Sequence, residues 1–220
     1  MPRISQQQKE LNRERIVTAA SEGFRARGLD GVGIDELMKT AGMTHGGFYN
    51  HFPSKEDLAL EVLHQGFTDS LGEVAGIIDA HPRSARAGLQ AIIDSYLTTH
   101  HRDHPEHGCA SAALATDAAR HGVKAQTEYQ RGLDGYIAAI TDLLLGAANQ
   151  TKTKLDPARA REQAITLFSQ MVGAQVISRA IAHADPKLSD EVLTANRKHL
   201  DNAKELVHVV RDCAPDRDRL

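Results

Sequence analysis

Three groups of residues in this chain have the types and spacing to do chemistry. In the stretch THGGFYNHFPSK, Phe48 and Phe52 lie four apart on one helical face, so both can turn inward. His45, Gly46, Gly47, Tyr49 and Asn50 are then left for the outer surface. Imidazole, phenol and amide groups bond phosphates and base edges. The two glycines cost helix stability, but they let backbone approach a partner closely. The second group is His100, His101, His104, His107 and Cys109. Imidazole and thiolate suit zinc or copper. The spacing fits no standard finger, however, and the interleaved Asp103 and Glu106 read as a solvated turn, so no metal and no cofactor is expected. The third group is Tyr96, Leu97, Leu114, Tyr129, Tyr136, Phe168 and Met171, whose aromatic and thioether side chains suit an apolar or aromatic molecule as well as they suit a core. There is no Gly-rich phosphate loop, no Gly-x-Ser-x-Gly elbow and no His-Glu-x-x-His, and an enzyme is not expected.

The elements that must position these groups are helical. Ile34, Leu37, Met38 and Ala41 are spaced for one face of a short helix, and Gly42 suits a left-handed turn after it. Thr44 can cap the next helix through its hydroxyl. Two short helices about a Gly turn are a helix-turn-helix, whose second helix can enter the DNA major groove. Upstream, a helix from about Gln8 to Arg27 has Leu11, Ile16, Ala20, Gly23 and Phe24 as its inner stripe, with Gly28 at its exit. Downstream, Ser54 with Asp57 caps a long helix that begins at Lys55, where free amides and the positive dipole end favour a phosphate. Further helices are expected over residues 84–101, 109–120, 123–148, from Asp156 and Pro157 onward, and over 189–211 with Ser189 as cap. HHRDHPEHG reads as a polar loop.

At 220 residues the chain can bury a sizeable core in two domains, and no period-2 strand pattern is present. Residues 1–55 carry 8 Lys+Arg against 6 Asp+Glu, a net of +2, and the remainder 18 against 23, a net of −5. A mildly basic head on an acidic body fits DNA binding at one end. Cys109 and Cys213 make no disulfide framework, the start is too polar for a signal peptide, and the apolar runs are too short to span a bilayer. A cytoplasmic location and no membrane partner are expected.

The stretch YNHFPSKEDL, Tyr49 to Leu58, resembles the end of the DNA-binding domain of the TetR (tetracycline repressor-like) family. That family shows a Tyr-x-His-Phe pair of turns and then a Ser/Asn-Lys opening a long helix. Upstream, Ile16, Ala19, Ala20 and Phe24 match its first helix and Gly28 its end, so the likeness runs from Arg15 to Leu58. The resemblance implies an all-α fold of about nine helices. Residues 1–53 would be a three-helix DNA-binding domain, and residues 54–220 a ligand-binding and dimerisation domain. It makes Thr44, Tyr49, His51 and Lys55 backbone contacts to operator DNA, and it places His45, Gly46 and Gly47 where the family reads bases. The third group above, with Cys109, falls on the helices that enclose a small-molecule effector. The last two helices would form a homodimer through Gly173, Ala174, Leu193, Leu200, Ala203, Val207 and Val210. The implied function is a ligand-responsive regulator, a repressor released from a near-palindromic operator. The alternative is a redox, electrophile or metal sensor on the same head, because the Gly108-Cys109 pair is similar to the thiol sites of some family members. The pattern is also departed from. Gly33 stands where Thr or Ser often caps the second helix, Met38 where a small residue is common, and Asp35 at an exposed position where a carboxylate repels phosphate.

Overall fold

The computed structural model describes residues 5–201, and they form nine α-helices and two short 3-10 helices, with no strand among the described residues. The α-helices are α1 (Gln6–Arg27), α2 (Ile34–Thr40), α3 (Lys55–Asp79), α4 (Ala85–Tyr96), α5 (Thr99–Asp103), α6 (Ala110–Arg120), α7 (Gly122–Gln150), α8 (Pro157–Ile181) and α9 (Pro186–Asp201). The 3-10 helices are His45–Asn50 and Pro105–His107. The fold is all-α, as the sequence predicts.

Two compact units result. One holds the described residues up to Glu73 together with Thr99–Gly135, and the other holds Val74–Thr98 together with the described residues from Tyr136 onward. Helices α3 and α7 therefore each contribute their first part to one unit and their remainder to the other.

In the first unit, the Ser5 hydroxyl accepts the Gln8 backbone N–H at 3.1 Å, so α1 opens two residues earlier than its apolar pattern predicts. The stripe that faces inward is Ile16, Val17, Ala19, Ala20 and Phe24; Leu11, expected to belong to it, is 47% exposed. Gly28 ends α1 at φ +78°, and its N–H bonds the Phe24 carbonyl at 2.8 Å. Ser54 caps α3 as predicted. Its Oγ accepts the Asp57 N–H at 3.1 Å and donates to the Asp57 carboxylate at 2.7 Å. Glycines in α7 set the approach to α3: a Cβ at Gly132 would lie 2.0 Å from Phe67 Cγ, and one at Gly135 would lie 2.7 Å from Leu71. The stretch expected to be a polar loop is ordered as α5 and a 3-10 turn, because Arg102 is buried there and pairs with Asp103 at 2.7 Å. Cys109 stands one position before α6 as its cap, with Sγ accepting the Ser111 N–H at 3.4 Å.

In the second unit, the helix expected over 84–101 breaks at Leu97, which leaves helical geometry at φ −88°, ψ 62°. The break frees backbone carbonyls, and fully buried Gln175 of α8 takes them up: its Nε2 donates to the Tyr96 carbonyl and, at 3.2 Å, to that of Thr98. Asp156 caps α8 with bonds from the N–H groups of Ala158 (2.9 Å) and Arg159 (3.2 Å), and Pro157 follows, as the sequence predicts. Ser189, expected to cap the last helix, lies inside α9, where its hydroxyl is 2.8 Å from that of Ser178. Asp185 is the capping side chain, accepting the Leu188 N–H at 3.0 Å. By length and composition alone α8 could cross a membrane, which the sequence reading did not anticipate; in the fold its Leu167, Phe168 and Met171 are buried.

Candidate nucleic-acid interface

The turn after α2 closes as a paired cap. The Met43 N–H reaches the Met38 carbonyl at 2.7 Å and the Gly42 N–H that of Lys39 at 3.0 Å, with Gly42 at φ +73°. A side chain at Gly42 would also strike Arg15 of α1, whose guanidinium lies 2.7 Å from where a Cβ would stand. The chain then enters the 3-10 helix His45–Asn50, not the α-helix that the motif suggests. The physical reasons are local: two glycines weaken helix formation, and Pro53 drives the residue before it out of helical geometry. Thr44 occupies the cap position but makes no side-chain cap bond, contrary to expectation; its backbone carbonyl accepts the Gly47 N–H at 2.9 Å.

Orientation follows from the two phenylalanines. Phe48 and Phe52 are buried and stack at 5.7 Å with an interplanar angle of 28°. Tyr49 meets the edge of Phe48 at 5.3 Å and is 59% exposed. His45, Gly46 and Asn50 are exposed beside it, and Gly47 is half-buried. Nothing lies within 4 Å of where a Gly46 Cβ would stand, whereas one at Gly47 would meet Met38 Cε at 3.5 Å and Thr44 Oγ1 at 3.7 Å. His45, Gly46, Tyr49 and Asn50 are therefore left exposed, with the rings of His45 and Tyr49 6.0 Å apart.

Basic groups belong to the same unit. Lys55 begins α3 with its ammonium 5.7 Å from the Phe24 ring centroid. Arg13 sits over Phe52 at 4.6 Å and pairs with Glu61 through both nitrogens. His51 is half-buried; burial, then the neighbouring Lys9 and Arg13, hold its imidazole below the usual histidine range. Sequence reasoning missed the partner of His45: its Nδ1 contacts Oδ1 of Asp35 on α2.

The apolar set divides between the units. Tyr96, Leu97, Tyr136, Phe168 and Met171 are buried in the second, where Tyr136 stacks on Phe168 at 4.6 Å and Tyr96 meets Phe168 at 6.4 Å. Gln175, one helical turn after Met171, was not foreseen. Cys109, Leu114 and Tyr129 belong to the first unit. There Tyr129 meets Phe67 edge-on at 5.3 Å and donates to the Ser111 carbonyl at 3.1 Å. Burial pushes the Tyr129 phenol up, and the neighbouring Cys109 adds to it. Among His100, His101, His104 and His107, the rings of His100 and His104 lie 4.6 Å apart, and His101 Nε2 accepts the Cys109 N–H at 3.0 Å. Among the described residues no three His, Cys, Asp or Glu side chains are placed to hold one metal ion.

Of the residues expected at a subunit interface, Ala174, Leu193 and Leu200 are 3%, 3% and 5% exposed, so their surface is already spent within the chain. Gly173 is half-buried with open space before it, and Ala203, Val207 and Val210 lie outside the described residues. The apolar surface left open on α8 is Ile165 (42% exposed), Val176 (41%) and Ile177 (56%).

Residues 16–62 match the family model described as bacterial regulatory proteins, tetR family. Over 175 aligned residues, 79% of this chain and 87% of the relative, the chain is 22% identical to the HTH-type transcriptional repressor NemR of Escherichia coli K12. Residues 16–62 are a TetR-family DNA-binding domain. Solved structures show the same fold. The reduced form of E. coli NemR matches with a TM-score of 0.73 at 21% identity, covering 87% of this chain and 95% of that one. FadR of Bacillus subtilis, in complex with stearoyl-CoA, matches with a TM-score of 0.60 at 19% identity, covering 83% and 96%. The chain is a helix-turn-helix transcriptional regulator, and the exposed residues of the 45–50 turn are its candidate DNA surface.

Proposed function

We propose that the chain is a ligand-responsive repressor that works in the cytoplasm as a homodimer and catalyses no reaction. Each subunit reads one half of a near-palindromic operator. The observation that carries the DNA surface is the opposition between buried Phe48 and Phe52 and exposed His45, Gly46, Tyr49 and Asn50. Thr44, Tyr49, His51 and Lys55 contact the phosphate backbone, and His45 and Gly46 lie against base edges. The dimer forms through the face of α8 that carries Ile165, Val172, Gly173, Val176 and Ile177. Three large apolar side chains left open along one helix support it.

The effector is a small apolar or aromatic molecule held among Tyr96, Tyr136, Phe168 and Met171. Stearoyl-CoA in the related FadR fold supports an apolar ligand for a body of this kind. The effector acts by binding better to a state whose two heads are wrongly spaced for the operator; without that difference in affinity it would shift nothing.

The test is selection of bound duplexes from a random pool, followed by salt titration of the selected site. A near-palindromic sequence bound with a steep salt slope is expected, and Lys55→Ala should lower that slope by about one unit. Equal affinity for selected and shuffled duplexes would sink the reading.

One observation favours a second reading of the effector side. Cys109 Sγ accepts the Ser111 N–H at the start of α6 and neighbours the Tyr129 phenol. A thiol-alkylating reagent that releases the operator from the native protein but not from Cys109→Ser would replace the reversible effector by a covalent one.

A further inference from the structure

We propose that the amide of Gln175 is the polar anchor of the effector site, and that its oxygen selects a neutral molecule with a hydroxyl or N–H donor on an apolar body. The inference rests on the reading of the aromatic cluster in the second unit as the effector site. It goes beyond that reading by naming the anchoring atom and the group it takes. Gln175 is fully buried in α8. Both partners of its Nε2, the carbonyls of Tyr96 and Thr98, can only accept. The amide nitrogen must therefore face them, which settles the orientation of the side chain and turns Oε1 the other way. Oε1 is buried as well, and no donor among the described residues reaches it.

A buried amide oxygen without a donor is uncommon, because it gives up its bonds to water and gains none. The break at Leu97 accounts for the nitrogen of Gln175 but not for its oxygen. The surroundings point to what fills it. Phe168, Met171 and Gln175 follow one another along α8 at spacings of three and four, so they share one face of the helix. On that face Phe168 stacks with Tyr136 at 4.6 Å and is met by Tyr96 at 6.4 Å, and Met171 is buried. The amide thus adds one acceptor to an apolar, aromatic stretch, the arrangement by which a mostly apolar site fixes the orientation of a ligand. The charge of the ligand follows from the same groups. An anion would set its oxygens against Oε1, which accepts and cannot donate. An ammonium would meet no buried Asp or Glu among the described residues. A phenol, an alcohol or an uncharged N–H group satisfies Oε1, and the corresponding ether does not.

The test measures by calorimetry the binding of phenol, para-cresol and beta-naphthol, each beside its methyl ether, to the full-length protein and to Gln175→Met. The ether keeps the apolar body and removes the donor. The native protein should bind a phenol about tenfold or more tighter than its ether, since a site with a buried hydrogen-bonding group rejects the analogue that leaves it unpaired. Gln175→Met keeps the length of the side chain without the acceptor, and should lose that preference while binding the ether as well as before or better. This substitution also takes a donor from the Tyr96 and Thr98 carbonyls, so a second measurement uses the native protein alone. In its crystal structure with the tightest-binding phenol, the hydroxyl should lie within hydrogen-bond distance of Gln175 Oε1. The proposal is overturned if phenols and ethers bind the native protein equally, if folded Gln175→Met keeps the preference, or if the hydroxyl lies elsewhere and only water meets Oε1. Failure of every phenol and ether to bind at millimolar concentration would overturn the effector reading itself.

Discussion

The carboxylate of Asp117 on α6 accepts the backbone N–H of Leu29 at 2.8 Å, at the point where α1 gives way to α2. Leu29 is buried and Gly28 before it sits at φ +78°, so this exit has a fixed path. Two further ties hold the same region: Arg25 donates to the Gly108 carbonyl at 2.8 Å, just before α6, and His121, just after α6, is 3.4 Å from Asp30. Helix α6 is therefore held at both ends to the segment that leads into the helix-turn-helix. Asp117→Ala leaves the Leu29 N–H without its acceptor and should destabilise the protein by about 1–3 kcal/mol. Urea unfolding at fixed protein concentration measures this. A change within error would mean that water replaces the carboxylate freely.

Gly132 makes a sharper demand. Its Cβ would stand 2.0 Å from the root of the Phe67 ring, and Phe67 is buried and braced against Tyr129. The ring cannot swing aside without giving up that contact, so Gly132→Ala should cost ~1–3 kcal/mol or more despite alanine's better helix propensity. Adding Phe67→Ala should cost less than the sum of the two single changes, because the clash is then gone. Thermal unfolding of the four proteins of this cycle decides it; strict additivity would mean that the helices separate to accept the methyl group.

What could be read from the sequence was what local chemistry decides. Gly28 and Gly42 stand where the backbone takes positive φ, Ser54 and Asp156 cap their helices, and Phe48 and Phe52 point inward. What could not be read depends on partners far along the chain. The break at Leu97 has no Gly or Pro to announce it and is sustained by Gln175 from another helix. Ser189 resembles a cap, yet its hydroxyl is committed to Ser178 across a helix pair. Leu193 and Leu200 have the spacing of an interface, but so does any stripe that packs within its own subunit. In the candidate DNA surface the burial of Phe48 and Phe52 was legible from their spacing, although the segment His45–Asn50 is a 3-10 helix. The Asp35–His45 contact was not, because ten positions and a turn separate the two.

The phosphate contact proposed for His51 predicts a dependence of DNA binding on pH. Burial and the charges of Lys9 and Arg13 hold its pKa below the usual value of about 6.5 in the free protein. Across the window between the lowered value and the unfolded value, the unfolded chain binds more protons than the folded one. This contribution to stability is thus present above the window and lost as pH falls through it. A phosphate beside the ring would act in the opposite direction and raise the pKa, so binding takes up a proton and the affinity strengthens as pH falls. His51→Gln should remove this part of the pH dependence while any part due to His45 remains. Binding isotherms between about pH 5.5 and 8 compare the two proteins, given the ordinary titration range of histidine. A slope unchanged by the substitution would place His51 away from phosphate.

Gly46 and Gly47 separate a DNA surface from a packing surface within two adjacent residues. A Cβ at Gly46 meets nothing within 4 Å, and the backbone there is not in the left-handed region, so Gly46→Leu should fold without strain. Its stability should be unchanged or slightly higher, since leucine restricts the unfolded chain more than glycine does. Its side chain would project from the exposed turn beside His45 and Tyr49, where it would hold a duplex away. Operator binding should therefore be lost while the melting temperature is kept. Gly47→Leu differs, because its Cβ begins in contact with Met38 and Thr44. The rest of a leucine must displace Met38, which is wholly buried, so this variant should be destabilised by ~1–3 kcal/mol as overpacked sites are. Melting curves and gel shifts on the pair distinguish the cases. If Gly46→Leu melts earlier yet still binds its operator, the orientation of the 45–50 turn is wrong, and the base contacts assigned to His45 fall with it.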